Sequence, residues 1–145
     1  MKIILPGSVK SKKNSKQIIP LRSKGNKPTF FKFYFKLAGG IRAWLFAQMT
    51  IHPSKAYILW EKQARASLHT QLEPGYSLIK GEVRVRGDYY YKGPRPDLSG
   101  CHESVGDCLE GYIWENDQQI KYWHGDSCLY HDLKNPRTEI TVEEL

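Results

Sequence analysis

The chain has 145 residues, 40% of them hydrophobic, and its 22 lysines and arginines against 15 aspartates and glutamates give a formal net charge of +7. This length suits one sizeable core, and no Pro- or Gly-rich linker separates two cores, which argues against a multidomain protein. Its apolar runs are too short to span a bilayer and its N-terminus lacks a signal-like hydrophobic segment, so we expect a cytoplasmic protein without a membrane partner.

The first part of the chain predicts two short strands joined by a basic loop. Residues 1–5 form an apolar run that Pro6-Gly7 ends, and residues 17–21 form a second run. The loop between them, SVKSKKNSK at residues 8–16, alternates lysines with small hydrogen-bonding side chains. Such a composition suits contact with phosphate oxygens rather than base edges. The candidate DNA-binding residues are therefore Lys10, Lys12, Lys13, Asn14 and Lys16.

Residues 22–52 are rich in aromatic side chains. The cluster at 30–35 favours a strand, and residues 41–49 are compatible with a short helix after Gly39-Gly40. Aromatic residues between Lys32 and Lys36 are compatible with a base-stacking platform for single strands. Burial in a core is the commoner role of such a run, and we favour it.

A clearer helix is predicted after Ser54, a residue type that caps helices. Tyr57, Trp60, Ala64 and Leu68 recur at helical spacing, and the helix should end near residues 73–75. Residues 78–91 then predict a strand with one buried and one exposed face, which the Gly and Pro residues of 92–96 interrupt.

The segment from Pro96 to Ile120 is acidic in an otherwise basic protein. It contains six carboxylates and no lysine or arginine, whereas residues 1–60 carry ten lysines, two arginines and no acid. A basic half attracts a nucleic-acid backbone, while clustered carboxylates repel it unless a divalent cation neutralises them. The combination indicates a metal site beside a polyanion, although each charge run taken alone is compatible with a solvated surface.

Within this segment the pattern predicts a helix with Cys101, Val105, Cys108 and Leu109 on its buried face and Gly111 at its end. An extended piece at 112–114, a turn at 115–117 and a strand at 118–123 should follow. Residues 138–142 are predicted to form the last strand.

Three cysteines, Cys101, Cys108 and Cys128, are expected to be reduced thiols, the first two in the core. They form no CxxC pair, and the histidines lack zinc-finger spacing, which disfavours a zinc site.

Four acids, Asp97, Glu103, Asp107 and Asp117, are expected to converge from the broken strand, the helix and the following turn. Mg²⁺ prefers oxygen ligands and keeps waters for chemistry, so such a site can activate a water and stabilise the leaving oxygen of a phosphodiester. The structural alternative is that Asp97 is only the helix N-cap and Asp117 only a turn former.

The ordered motifs RPDLSG at 95–100, DCL at 107–109 and WENDQQI at 114–120 resemble the signature of the RusA-like crossover junction endodeoxyribonucleases, which are common in phages and prophages. That signature is a basic residue before Asp-Leu-Asp-Asn, then a helix with Asp-Ala-Leu, then an aromatic residue before Asp-Asp-x-Gln-Val. ILPG at 4–7, SKKNSK at 11–16 and PSKAY at 53–57 are similar to the N-terminal half of phage members. The resemblance covers most of the chain except 22–52, which look like an insertion into a single domain spanning residues 1–145.

The resemblance implies a small single-domain α/β (α+β) fold, with helices packed on a mixed sheet, that forms a homodimer. It implies paired nicking of four-way DNA junctions with Mg²⁺, or Mn²⁺, in recombination, repair or phage DNA processing within a bacterial host. Asp97, Asp107 and Asp117 match catalytic and metal-binding aspartates, and Arg95 is expected to contact DNA.

The chain departs from the signature at three positions. Ser99 and Gly100 replace the second aspartate and the asparagine, and Glu103 stands where the best-known members have a lysine. Glu103 lies one helical turn from Ser99, so we expect it to supply the missing carboxylate to the metal.

Three functions therefore remain: a junction-resolving nuclease, which we favour, a catalytically impaired junction-binding protein of the same fold, and a basic RNA- or single-strand-binding module whose acids are structural.

Overall fold

The computed structural model of the chain describes residues 1–12, 16–20, 30–36 and 42–145, and within the strands between residues 16 and 52 it describes the backbone alone. It contains two compact units, one of Met1–Ser15 with Ser54–Leu145 and one of Lys16–Pro53. The larger unit has the predicted α+β architecture, with a mixed five-stranded sheet and two helices. The second unit begins six residues before the predicted insertion at 22–52, whose assignment as an insertion stays a prediction.

The described residues of the larger unit form five strands, two α-helices and one short 3₁₀ helix. In chain order they are β1 (Lys2–Pro6), α1 (Lys55–Gln71), β5 (Val83–Tyr91), α2 (Leu98–Leu109), the 3₁₀ helix (Asp117–Gln119), β6 (Ile120–Trp123), β7 (Cys128–His131) and β8 (Arg137–Glu144). In the described parts of the chain, no helix has the length and apolar character needed to cross a membrane.

The sheet has the strand order β1-β8-β5-β6, and β7 also pairs with β5. β8 is antiparallel to both β1 and β5, whereas β6 and β7 run parallel to successive halves of β5. Between these two halves, at Gly87, neither β6 nor β7 pairs with β5. The Gly87 N–H instead donates a hydrogen bond to the Ser127 hydroxyl at 3.1 Å. Inward residues of β1, β5 and β8 form one core with the buried faces of both helices.

Helix α1 confirms its sequence prediction. Ser54 is the N-cap, and its hydroxyl accepts a hydrogen bond from the Tyr57 N–H at 3.1 Å. The four residues predicted for the apolar stripe are the ones buried on this helix. Glu61 and Arg65 form an i,i+4 ion pair at 2.9 Å.

Four local predictions differ from the structure. The predicted helix at 41–49 is wrong, because β4 (Arg42–Pro53) occupies this segment; its aromatic and β-branched residues favour a strand. The strand predicted from Leu78 begins at Val83, since the Gln119 side chain binds the carbonyls of Ile79 and Gly81.

The two other differences follow α2. Residues 112–114 are mostly turn rather than extended, because the N–H groups of Tyr112 and Ile113 both bind the Leu109 carbonyl. The strand predicted at 118–123 loses its first two residues to the 3₁₀ helix, which Asn116 and Gln119 close with a reciprocal capping box. The short strand β7 was not predicted.

The unit Lys16–Pro53 is a three-stranded antiparallel sheet of β2 (Lys16–Pro20), β3 (Phe30–Lys36) and β4, in the order β2-β4-β3. The predicted strands at 17–21 and 30–35 are thereby confirmed to within one residue. The choice between a base-stacking and a core role for the aromatic side chains of β3 lies outside the described residues.

Candidate metal and phosphate site

Helix α2 and the 3₁₀ helix bring three carboxylates together. Carboxylate oxygens of Asp107, Glu110 and Asp117 all lie within 4.8 Å of one another, and we call these residues the acidic cluster. Asp107 lies in the last turn of α2, Glu110 is its C-cap, and Asp117 is the first residue of the 3₁₀ helix. The two elements are packed together at Gly106, where a Cβ would make an ordinary van der Waals contact with that of Asp117 at 3.8 Å.

The acidic cluster fits a divalent cation with oxygen ligands. Mg²⁺ binds oxygen at about 2.1 Å, so ligands on opposite sides of the ion lie about 4.2 Å apart. In an octahedral shell at most one pair of three ligands lies on opposite sides, and neighbouring ligands lie about 3 Å apart, so the three side chains would have to close inwards on the ion. Asp107 and Glu110 are half-buried and Asp117 is exposed, so the cluster is accessible to solvent at Asp117.

Glu110 was not among the metal ligands predicted from sequence. It follows Asp107 by three residues, a spacing that places two side chains on the same side of a helix. This signal was available, but Glu110 matches no position of the motif that directed attention to the other acids.

Asp97, which was predicted as a metal ligand, is not part of the acidic cluster. It is the N-cap of α2, and its Oδ2 accepts hydrogen bonds from the Ser99 hydroxyl at 2.7 Å and the Gly100 N–H at 3.3 Å. It lies ten residues before Asp107, about 15 Å along the helix axis. Ser99, at the position of the second motif aspartate, thus binds Asp97.

Asp97→Ala is expected to lower the free energy of unfolding by about 1 kcal/mol, because the first turn of α2 loses its cap. Asp97→Asn should cost little, since asparagine caps as well as aspartate does. Urea unfolding of the two variants measures the difference. Equal stability of both would contradict the capping role, while loss of activity in the Asn variant at full stability would show that the charge itself acts in the site.

Glu103 is exposed and lines a groove of about 320 Å³ between α2 and the start of β6, together with Ser99, His102, Asp117 and Trp123. Glu103 and Asp117 therefore face one groove, although Glu103 is not a member of the acidic cluster. Its predicted role as a replacement ligand stays a prediction.

His102 forms the aromatic side of this groove. Its ring stacks on that of Trp123 with centroids 4.1 Å apart and an angle of 7° between the planes. Burial lowers the pKa of His102 to about 4, and the nearby Asp97 carboxylate opposes this shift only in part. The ring is therefore neutral at pH 7.

Acid should destabilise the fold through His102. Between pH 6.5 and about 4 the unfolded chain binds a proton here that the folded protein does not, so the free energy of unfolding falls as the pH falls. His102 contributes at most about 1.4 kcal/mol per pH unit to the slope of the free energy of unfolding against pH. Urea unfolding at several pH values should show a smaller slope for His102→Phe than for the wild type; equal slopes would contradict this assignment.

The loop after β1 lies against α2. The Lys12 N–H donates a hydrogen bond to the Ser104 hydroxyl at 3.0 Å, and that hydroxyl donates to the Gly100 carbonyl at 2.8 Å. The packing at Gly100 is close, because a Cβ there would lie 2.8 Å from the Ser11 Oγ and would make that hydroxyl move. The Lys12 ammonium binds Asp107 Oδ2 at 2.7 Å, so the predicted phosphate loop reaches the acidic cluster.

Of the other predicted DNA-binding residues, the structure describes the side chains of two. Lys10 and Arg95 are exposed on the same unit as the acidic cluster. Lys13 and Asn14 lie outside the described residues, as does the side chain of Lys16.

A polar side chain of α1 also contacts Asp107. Arg65 donates a hydrogen bond to the Asp107 carbonyl at 3.1 Å and pairs with Glu61, which accepts a 3.4 Å bond from the Tyr57 hydroxyl. Burial, followed by the charges of Glu61 and Asp107, raises the pKa of Tyr57, so the phenol stays protonated.

The cysteines are free, and Cys101 and Cys108 are buried in the core as predicted. Burial raises the pKa of Cys108 to about 11, although the neighbouring Arg65 opposes the shift. Burial and the Asp97 charge raise that of Cys101 to about 12. Neither thiol is a thiolate at neutral pH, so neither is prepared to bind a metal.

No protein-family model matches the chain, and no curated protein matches it at a significant level.

Proposed function

We propose that the chain is a divalent-cation-dependent endonuclease of the RusA-like type that nicks branched DNA. The observation that carries the proposal is the acidic cluster with the Lys12 ammonium bound to one of its members. Oxygen ligands for a hard cation and an ammonium for a phosphate thus occur within one small region. The net charge of +7 supplies the attraction for a DNA backbone.

In this proposal Asp107, Glu110 and Asp117 hold Mg²⁺ or Mn²⁺. When bound, the ion activates a water and stabilises the leaving oxygen of the phosphodiester. The chain's own residues position the substrate: the 8–16 loop contacts the backbone, and Arg65 fixes the Asp107 backbone through its carbonyl. Asp97 and Glu103 lie in the preceding turns of α2. Glu103 and Asp117 line one groove, and in this proposal the DNA strand approaches that groove.

The resemblance further suggests a homodimer, because a four-way junction has approximate two-fold symmetry and a two-fold dimer offers equivalent sites to two strands of like polarity. It also suggests a phage or prophage origin, and action in the cytoplasm of a bacterial host during recombination, repair or phage DNA processing.

The proposal is tested by incubating the protein with a labelled synthetic four-way junction and a linear duplex of the same sequence. With Mg²⁺ we expect symmetric nicks in the junction only, and with EDTA none. Absence of nicking over a range of Mg²⁺ and Mn²⁺ concentrations would overturn the nuclease assignment.

A second candidate is a junction-binding protein that does not cut. It is favoured by Ser99, whose hydroxyl replaces a motif carboxylate and binds Asp97. Preferential binding of the junction over duplex and single strands, without nicking, would support it. Preference for single strands or RNA would instead support the basic binding module.

A further inference from the structure

The ion pair between Lys12 and Asp107 joins the two halves of the proposed site. The Lys12 Nζ lies 2.7 Å from Asp107 Oδ2, and the side chains keep 45% and 29% of their accessible surface. Among the residues that the structure describes, no lysine or arginine other than Lys12 forms an ion pair with a carboxylate of the acidic cluster. The cluster is thus partly neutralised by the protein's own cation.

This arrangement creates competition at one oxygen. A divalent cation bound by Asp107 through Oδ2 would stand beside an ammonium only 2.7 Å from the same atom, and like charges so close repel strongly. The divalent cation and the ammonium therefore compete for Asp107. The Lys12 side chain is free to turn because it is nearly half exposed, whereas its backbone N–H is held by Ser104.

We propose that Lys12 is a displaceable counter-ion that couples cation binding to phosphate binding; this inference rests on the proposed function. In the free protein its ammonium occupies Asp107. A divalent cation taken up by the cluster releases the ammonium, which then contacts a DNA phosphate beside the site. Because the coupling is reciprocal, DNA that engages Lys12 raises the affinity of the cluster for the cation by the same factor.

The inference assigns Lys12 a role different from that of a general phosphate contact. Lys10 is the matched control: it lies in the same loop, is exposed, and makes no ion pair with the described residues of the acidic cluster. Both lysines are expected to contribute to DNA affinity by contacting phosphates of the DNA backbone. Only Lys12 is expected to affect cation affinity in the absence of DNA.

The test measures Mn²⁺ binding to the full chain without DNA by electron paramagnetic resonance, for the wild type, Lys12→Gln and Lys10→Gln, with circular dichroism as the check on folding. Loss of a competing ion pair of this kind should tighten Mn²⁺ binding by about fivefold in Lys12→Gln. Lys10→Gln should bind as the wild type does.

Junction binding is then measured with and without Ca²⁺. The cation should increase junction affinity more in the wild type and in Lys10→Gln than in Lys12→Gln. Unchanged or weaker Mn²⁺ binding by Lys12→Gln would overturn this inference alone. A wild-type protein that binds no Mn²⁺ would overturn the metal-dependent function itself and the inference with it.

Discussion

Asp117→Asn is expected to lower the rate of junction nicking by at least about a hundredfold and to raise the Mg²⁺ concentration needed for half-maximal activity. The change removes a negative oxygen from the acidic cluster while keeping the size of the side chain. Junction affinity should be retained or improved, because one charge that repels DNA is lost. Nicking rates over a Mg²⁺ titration, with binding measured in EDTA, check both parts.

Glu115→Gln is the matched control for this substitution. Glu115 is an exposed acid in the same turn and is not a member of the acidic cluster, so it should keep full activity. Full activity of Asp117→Asn would remove the 3₁₀ helix from the site.

Substitutions of Glu110 and Glu103 distinguish a cation site on the acidic cluster from a cation site built on the acids of the motif. If the acidic cluster holds the cation, Glu110→Gln should impair nicking about as much as Asp117→Asn, and Glu103→Gln should be nearly silent. If Glu103 replaces the carboxylate missing at Ser99, the effects are reversed, and Ser99→Asp combined with Glu103→Lys should restore part of the activity. The Mg²⁺ dependence of each variant decides between the two.

Local physical signals explain which parts of the fold could be predicted from sequence. Helix α1 was predictable because a serine cap and four apolar residues at helical spacing agree with each other. β5 was predictable from strict alternation, although its start was not, since a long-range contact from Gln119 determines it. β4 was misassigned because short apolar runs fit either structure, and pairing with β2 and β3 fixes the strand.

The site was predictable in part for similar reasons. Motif order led to Asp107 and Asp117, which the structure brings together. Glu110 was missed because a motif comparison has no place for a residue that the motif lacks. The contact between Lys12 and Asp107 joins residues 95 positions apart, and only the packing of the β1 loop on α2 creates it.

Gly87→Ala is expected to lower the free energy of unfolding by about 3 kcal/mol, which is a large fraction of the stability of a small protein. Gly87 lies in the centre of β5 on its buried face, two residues before the fully buried Tyr89. A Cβ at Gly87 would meet the Tyr89 hydroxyl at 2.4 Å and two ring carbons at 2.6 and 2.8 Å. The ring cannot move aside easily because the core surrounds it.

Gly81→Ala is the matched control, since a Cβ at Gly81 meets no atom within 4 Å. Urea unfolding should therefore show a large loss for Gly87→Ala and little change for Gly81→Ala. In a Tyr89→Val background the added methyl group has room, so the cost of Gly87→Ala should fall by more than half; the double-mutant cycle then assigns the clash to this pair. Equal costs in both backgrounds would instead indicate that the backbone of β5 at the Ser127 contact, rather than the ring of Tyr89, requires glycine.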